Sequence, residues 1–121
     1  MGERTWHIDI PPGTPLITSN QRLHHMQLYR LNKNLKDVSF WLARKQRIPH
    51  LERARIDGFL MTRDLRRRDP GNWYPTLKAC LDGIVSAGVL DDDDWRHVDG
   101  PYLSLLPRQP VTGYRVTIRE L

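Results

Sequence analysis

From Gln21 to about Arg47 the chain holds neither proline nor glycine, and Leu23, Met26, Leu28, Leu31, Leu35, Val38 and Leu42 return at steps of three, four and five. Apolar residues at that spacing share one face of a helix. The pattern predicts a long amphipathic helix, with a cap at Ser19 or Asn20, a break near Asn32–Asn34 and a stop before Pro49. Its stripe has to be buried, and the other elements supply the surface. Trp6 to Ile10 alternates apolar and polar, as a half-buried strand does, and Pro11, Pro12, Gly13 and Pro15 stop it. A second strand is expected from about Arg53 to Met61, with Gly58 as a weak point or bulge. A second helix is punctuated by Asn72 as cap, Pro75 in the first turn and Gly88 just past the end. Val98–Leu106 and Gly113–Leu121 read as two further strands, joined by residues 107–112 as a loose hairpin loop. The order is β-α-β-α-β-β. In 121 residues it implies one α+β domain, a mixed sheet packed with two main helices.

Charge is distributed unevenly. The net value is +5, yet residues 20–68 carry thirteen Lys/Arg against four Asp/Glu, and residues 69–99 carry two against seven. A basic half beside an acidic patch points to a polyanion partner and a centre that needs a cation. A solvated helix face would account for the basic residues equally well. No apolar run approaches the ~20 residues of a membrane span, and the first residues lack the apolar core of a secretory signal. The one cysteine, Cys80, has no partner for an internal disulfide and reads as a small core hydrophobe. The expectation is a cytoplasmic protein with no membrane contact.

The chemistry concentrates between Arg66 and Asp94. Arg66, Arg67 and Arg68 precede Asp69, Lys78 and Asp82 lie one turn apart on the second helix, and Asp91 to Asp94 follow it. Phosphodiester hydrolysis needs a hard cation, carboxylates to hold it and positive charge to hold the strand. A strand–helix–return unit would bring Asp69 and Asp91-Asp92 together at one end of the sheet. The arginines would then meet phosphate oxygens, and Lys78 would neutralise the scissile phosphate or orient a water. Plainer accounts fit the same residues: a solvated acidic turn, and a surface ion pair between Lys78 and Asp82. His24-His25 point apart on a helix and do not read as a metal pair, and His97 reads as a solvent-facing strand residue. Trp73 and Tyr74 suit either base stacking or packing against the core.

Together, Arg67-x-Asp69-x-x-Asn72, Lys78-x-x-x-Asp82-Gly83 and Ala87-Gly88-Val89-Leu90-Asp91-Asp92 resemble the RusA family of Holliday-junction resolvases. The resemblance is sharp over residues 66–92. It implies a small Mg²⁺-dependent endodeoxyribonuclease, with Mn²⁺ able to substitute, acting as a homodimer on branched DNA in bacterial hosts and their phages. Carried over by position, Asp69, Asp92 and Lys78 are catalytic, Asp69 and Asp92 hold the Mg²⁺, and Asp91, Asp82 and Asn72 supply additional ligands or support them. Two departures stand out. Gly71 occupies the place of the family's second acid, and two extra residues separate Asn72 from Lys78, a form that resembles an actinobacterial and phage subgroup. DNA would be gripped by Arg66, Arg67 and Arg68, with Arg22, Arg30, Lys33, Lys36, Arg44 and Lys45 from the long helix. The alternative expectation is a junction- or duplex-binding protein whose catalytic site is weakened or vestigial.

Overall fold

The computed structural model describes residues 4–121; residues 1–3, where the stretch read for a leader begins, lie outside them. The elements are β1 (Thr5–Ile10), α1 (His25–Lys45), β2 (Ala54–Met61), a 3₁₀ turn (Pro70–Trp73), α2 (Tyr74–Ser86), β3 (Val98–Leu106) and β4 (Gly113–Glu120). The expected order of elements holds. The four strands form one mixed sheet in the order β1-β4-β2-β3. β1 and β2 flank β4 antiparallel, and β3 runs parallel to β2. Because β2 separates β3 from β4, the expected hairpin does not form. Residues 107–112 instead pass over the end of β2, where Gln109 N–H donates to the Thr62 carbonyl at 2.8 Å.

Alternation decides which sheet face is covered. Ile8, Ile56, Val116 and Ile118 sit opposite one another across the strands and are fully buried. They join Leu35 of α1 with Leu77, Cys80 and Ile84 of α2 in a single core. Both helices therefore lie on one face. The opposite face carries ion pairs such as Arg115–Asp9 at 2.6 Å and Arg55–Asp57 at 2.9 Å.

Helix α1 starts later than its apolar spacing implies and runs without a break. His24 caps it: its Nδ1 accepts from Met26 N–H at 3.2 Å, while the Gln27 side chain accepts from His24 N–H at 3.3 Å. Asn32 does not interrupt the helix, because its side-chain amide donates to the Leu28 carbonyl one turn back at 3.0 Å. The stripe is buried only from its middle onward; Met26 and Leu28 stay exposed.

Two glycines are explained by neighbours rather than by turns. At Gly58 a Cβ would run into the Tyr114 hydroxyl and Leu77, so the weak point in β2 is where Tyr114 of β4 and Leu77 of α2 close over the strand. The bulge lies on the neighbouring strand instead, where Asp99 to Tyr102 spans the same stretch as Arg55 to Asp57. At Gly83 a Cβ would run into the backbone of Lys36, which sets the crossing of α2 over α1. Among the described residues no helix is long and apolar enough to cross a membrane.

Candidate functional site

Helix α2 holds the site's central residue. Lys78 stands in its second turn, on the flank of the stripe formed by Leu77, Cys80, Leu81 and Ile84. The start of α2 is pinned from outside: the buried Thr76 hydroxyl accepts from Ile17 N–H at 2.8 Å and donates to the Ile17 carbonyl at 2.7 Å. Ser19 N–H adds a bond to the Asn72 carbonyl at 2.9 Å, and the Ser19 hydroxyl meets Asn72 Oδ1 at 3.4 Å. Asn72 thus fastens the 17–19 segment to the 3₁₀ turn. The cap position of α2 falls to Trp73, whose side chain makes no capping bond and packs against the core.

Lys78 donates to Asp82 Oδ1 at 2.8 Å and makes a very short contact with Asp93 Oδ2. Partial burial works to lower the lysine's pKa, but the hydrogen bonds to Asp82 and Asp93 outweigh it and hold the ammonium above the ordinary lysine value. The bond from Lys78 likewise holds the Asp93 carboxyl below the usual carboxylate range. Two carboxylates thus converge on one cation, the arrangement in which one member's loss leaves the others uncompensated.

The acidic run divides by role. Asp91 is 72% exposed and meets His50 Nε2 at 3.0 Å. Asp92 accepts from Asp93 N–H at 2.7 Å and shapes the turn. Asp93 is 26% exposed and faces Lys78. Asp94 accepts from Arg96 and, at 2.8 Å, from His97 Nδ1, and these bonds hold its pKa near about 2. His97 is therefore tied to Asp94 and half-buried rather than facing solvent. Asp93 was not distinguished by sequence reasoning, because four identical residues carry no sign of which one turns inward. Only the path of the loop decides it, and that path is set by Val89 and Leu90 entering the core and by Leu51 N–H bonding the Val89 carbonyl at 2.7 Å.

Asp69 follows the end of β2, whereas the acidic run precedes the start of β3. Since those strands are parallel, the two places lie at opposite ends of the β2–α2–β3 unit, not at one end of the sheet. The 13 residues of α2 span roughly 20 Å. The acidic loop turns back over part of that length, far enough for Asp93 to meet Lys78 in the helix's second turn. Asp69 caps the 3₁₀ turn without a side-chain bond. Gly71, at the place of the missing acid, has open space where a Cβ would stand. Among the described residues no three His, Cys, Asp or Glu side chains stand close enough to hold an ion together.

The basic residues also divide. Arg68 is folded back, with its guanidinium bound to Asp64 at 2.7 Å and to the Arg66 carbonyl at 3.2 Å, while Arg66 and Arg67 are exposed. On α1, Lys33 pairs with Asp37 at 2.8 Å, and Arg30, Lys36, Arg44 and Lys45 are exposed, as is Arg22 before the helix. A cavity of about 310 Å³ between the helices is lined by Lys33, Lys36 and Asp82. A second, of about 420 Å³, is lined by Leu23, Leu28, Tyr74 and Lys78. Asn32 lines both, so the two clefts meet on either side of the Lys78–Asp82 pair. Cys80 is fully enclosed and burial pushes its thiol up to about 11, which suits an inert core residue. No protein-family model matches the chain and no curated protein matches it, so the functional reading stands on these residues alone.

Proposed function

We propose that the protein is a Mg²⁺-dependent, structure-specific endodeoxyribonuclease that cuts branched DNA, four-way junctions included, as a homodimer. The observation that carries this reading is the convergence of Asp82 and Asp93 on the Lys78 ammonium beside a cleft lined by Lys33, Lys36, Asp37 and Asp82. The donors fit the ion: carboxylate oxygens that converge on one cation suit a hard divalent metal, and Mg²⁺ needs only one or two of them beside its waters. Bound there, Mg²⁺ would activate water and stabilise charge on the phosphate. Asp82 and Asp93 would hold it; the resemblance to the RusA pattern implies Asp91, Asp92, Asp69 and Asn72 as well, although Asp69 lies at the other end of the β2–α2–β3 unit. Lys78 would then be free to turn its charge toward the scissile phosphate. The exposed Arg66, Arg67, Lys36 and Arg30 would hold the backbone on either side. Two strands must be cut to resolve a four-way junction, and a two-fold dimer presents two sites for them.

The test is nicking of a synthetic four-way junction with and without Mg²⁺. The wild type is expected to nick only with the metal. Because losing a residue that merely supports a metal ligand costs ~10–100-fold, Asp93→Asn should cost at least about 100-fold. Asp69→Asn and Asp92→Asn should also slow the reaction. Cutting at the wild-type rate by all three variants would remove these carboxylates from the mechanism. A second reading, a junction-binding protein with a weakened site, is favoured by Gly71 and by the ammonium standing between the two acids. Tight junction binding with no metal-dependent nicking by the wild type would select it.

A further inference from the structure

Two exposed aromatic residues lie near Lys78, one along its helix and one along the acidic loop, and neither is used by the core. Tyr74 lies one turn before it on α2, 44% exposed, and lines the same cleft. Trp95 lies two residues beyond Asp93, the acid that touches Lys78, and is 81% exposed. Two residues place its Cα within about 7 Å of that of Asp93. Trp73, by contrast, is packed against the core.

The Trp95 turn is rigid. Asp94 accepts from Arg96 N–H at 3.0 Å and from the Arg96 guanidinium at 2.7 Å through its side chain. Its carbonyl accepts from His97 N–H at 3.0 Å and Val98 N–H at 2.9 Å. Six donors, the His97 ring included, close around one aspartate, and the residue they enclose presents its ring to water. A large ring held outward by a pre-ordered turn loses little freedom when something stacks on it.

We propose that Tyr74 and Trp95 are stacking platforms for unpaired bases near the phosphate that Lys78 addresses, so that the protein selects DNA whose bases are already unstacked at a branch. This rests on the nuclease reading and adds its substrate selection. Stacking on an aromatic ring is indifferent to sequence, because every base has a π-face. It is costly on intact duplex, where bases must first be pulled out of the stack. Platforms of this kind therefore discriminate by structure and not by sequence. The surroundings favour a nucleic acid over a protein surface, since exposed Arg30 and Lys36 share the clefts' helix and Tyr74 shares a cleft with Lys78.

The experiment uses the full chain in metal-free buffer, so that binding is read without cutting. Fluorescence anisotropy gives affinities for a four-way junction and for a linear duplex of the same sequence. Trp95→Ala and Tyr74→Ala should each weaken junction binding by about tenfold and leave duplex binding within about twofold. Trp95→Phe should recover most of the loss. Equal losses on both DNAs, or none on the junction, would overturn the inference. So would a Trp95→Ala protein that changes its oligomeric mass while keeping its junction affinity, which would assign the ring to a protein contact. Nicking of the same junction by the wild type in Mg²⁺ separates the two failures. If nicking persists while junction affinity ignores both rings, the stacking idea alone falls; a wild type that neither binds nor nicks removes both.

Discussion

At the scale of single residues, small side chains decide how the site is assembled. Gly83 lets the α2 backbone approach Lys36 of α1, and a Cβ there would meet backbone atoms that have no rotamer to give way. Gly83→Ala is expected to destabilise the protein by about 1–3 kcal/mol, read from the urea midpoint, and to displace Asp82 from Lys78. Midpoints equal within error would mean that the helix crossing has room for a methyl group. Asp64 has a different kind of influence. The hydrogen bond from Arg68, helped by Arg66 N–H, lowers its pKa from 3.8 to about 2. A carboxylate depressed in the folded state adds stability that is present above its unfolded value and is lost as pH falls through its folded value. Its contribution is thus complete above about pH 5 and gone by about pH 1. Asp64→Asn should flatten the melting temperature between those limits and change little of its slope above them. An acid limb identical to the wild type's would show that Arg68 is not held by Asp64 in solution.

At the scale of elements, both helices end in a left-handed residue, one well suited to it and one not. Gly88 follows α2 at φ +87, with Gly88 N–H bonded to the Val85 carbonyl at 2.9 Å. Arg47 follows α1 at φ 54, with Ile48 N–H bonded to the Ala43 carbonyl at 3.2 Å. The left-handed conformation costs a residue with a Cβ roughly 1–2 kcal/mol. Gly88→Ala should therefore destabilise by about 1 kcal/mol and Arg47→Gly should stabilise by roughly 0.5–1 kcal/mol, both from chemical denaturation. The same sign for both substitutions would contradict the shared geometry. Element boundaries also show what was legible in the chain. The alternation of Tyr114, Val116 and Ile118 and the stripe of α2 gave their elements directly, because period and burial coincide there. The start of α1 was not legible, because Leu23, Met26 and Leu28 keep the helical spacing without being buried, and a histidine does the capping. The pairing of β4 was not legible either. Two alternating strands joined by a short loop look alike whether they are neighbours or are separated by β2.

At the scale of the molecule, the candidate site depends on topology more than on spacing. A parallel β2–α2–β3 unit sends its two connecting loops to opposite ends, so Asp69 and the acidic run are not gathered by the strands. What gathers charge is the return of one loop along α2 and the length of the lysine side chain. The reading of Lys78 and of acids beyond the helix came from the sequence; the choice of Asp93 and the retreat of Arg68 came from the folded chain. The proposed nuclease then comes down to whether these carboxylates share a divalent cation. Anomalous diffraction from crystals soaked in Mn²⁺ measures that directly. The account predicts a Mn²⁺ peak bound by Asp93 and Asp82, with the Lys78 ammonium moved off both. Crystals that take up Mn²⁺ elsewhere or not at all, with Lys78 still bound to both acids, would contradict it.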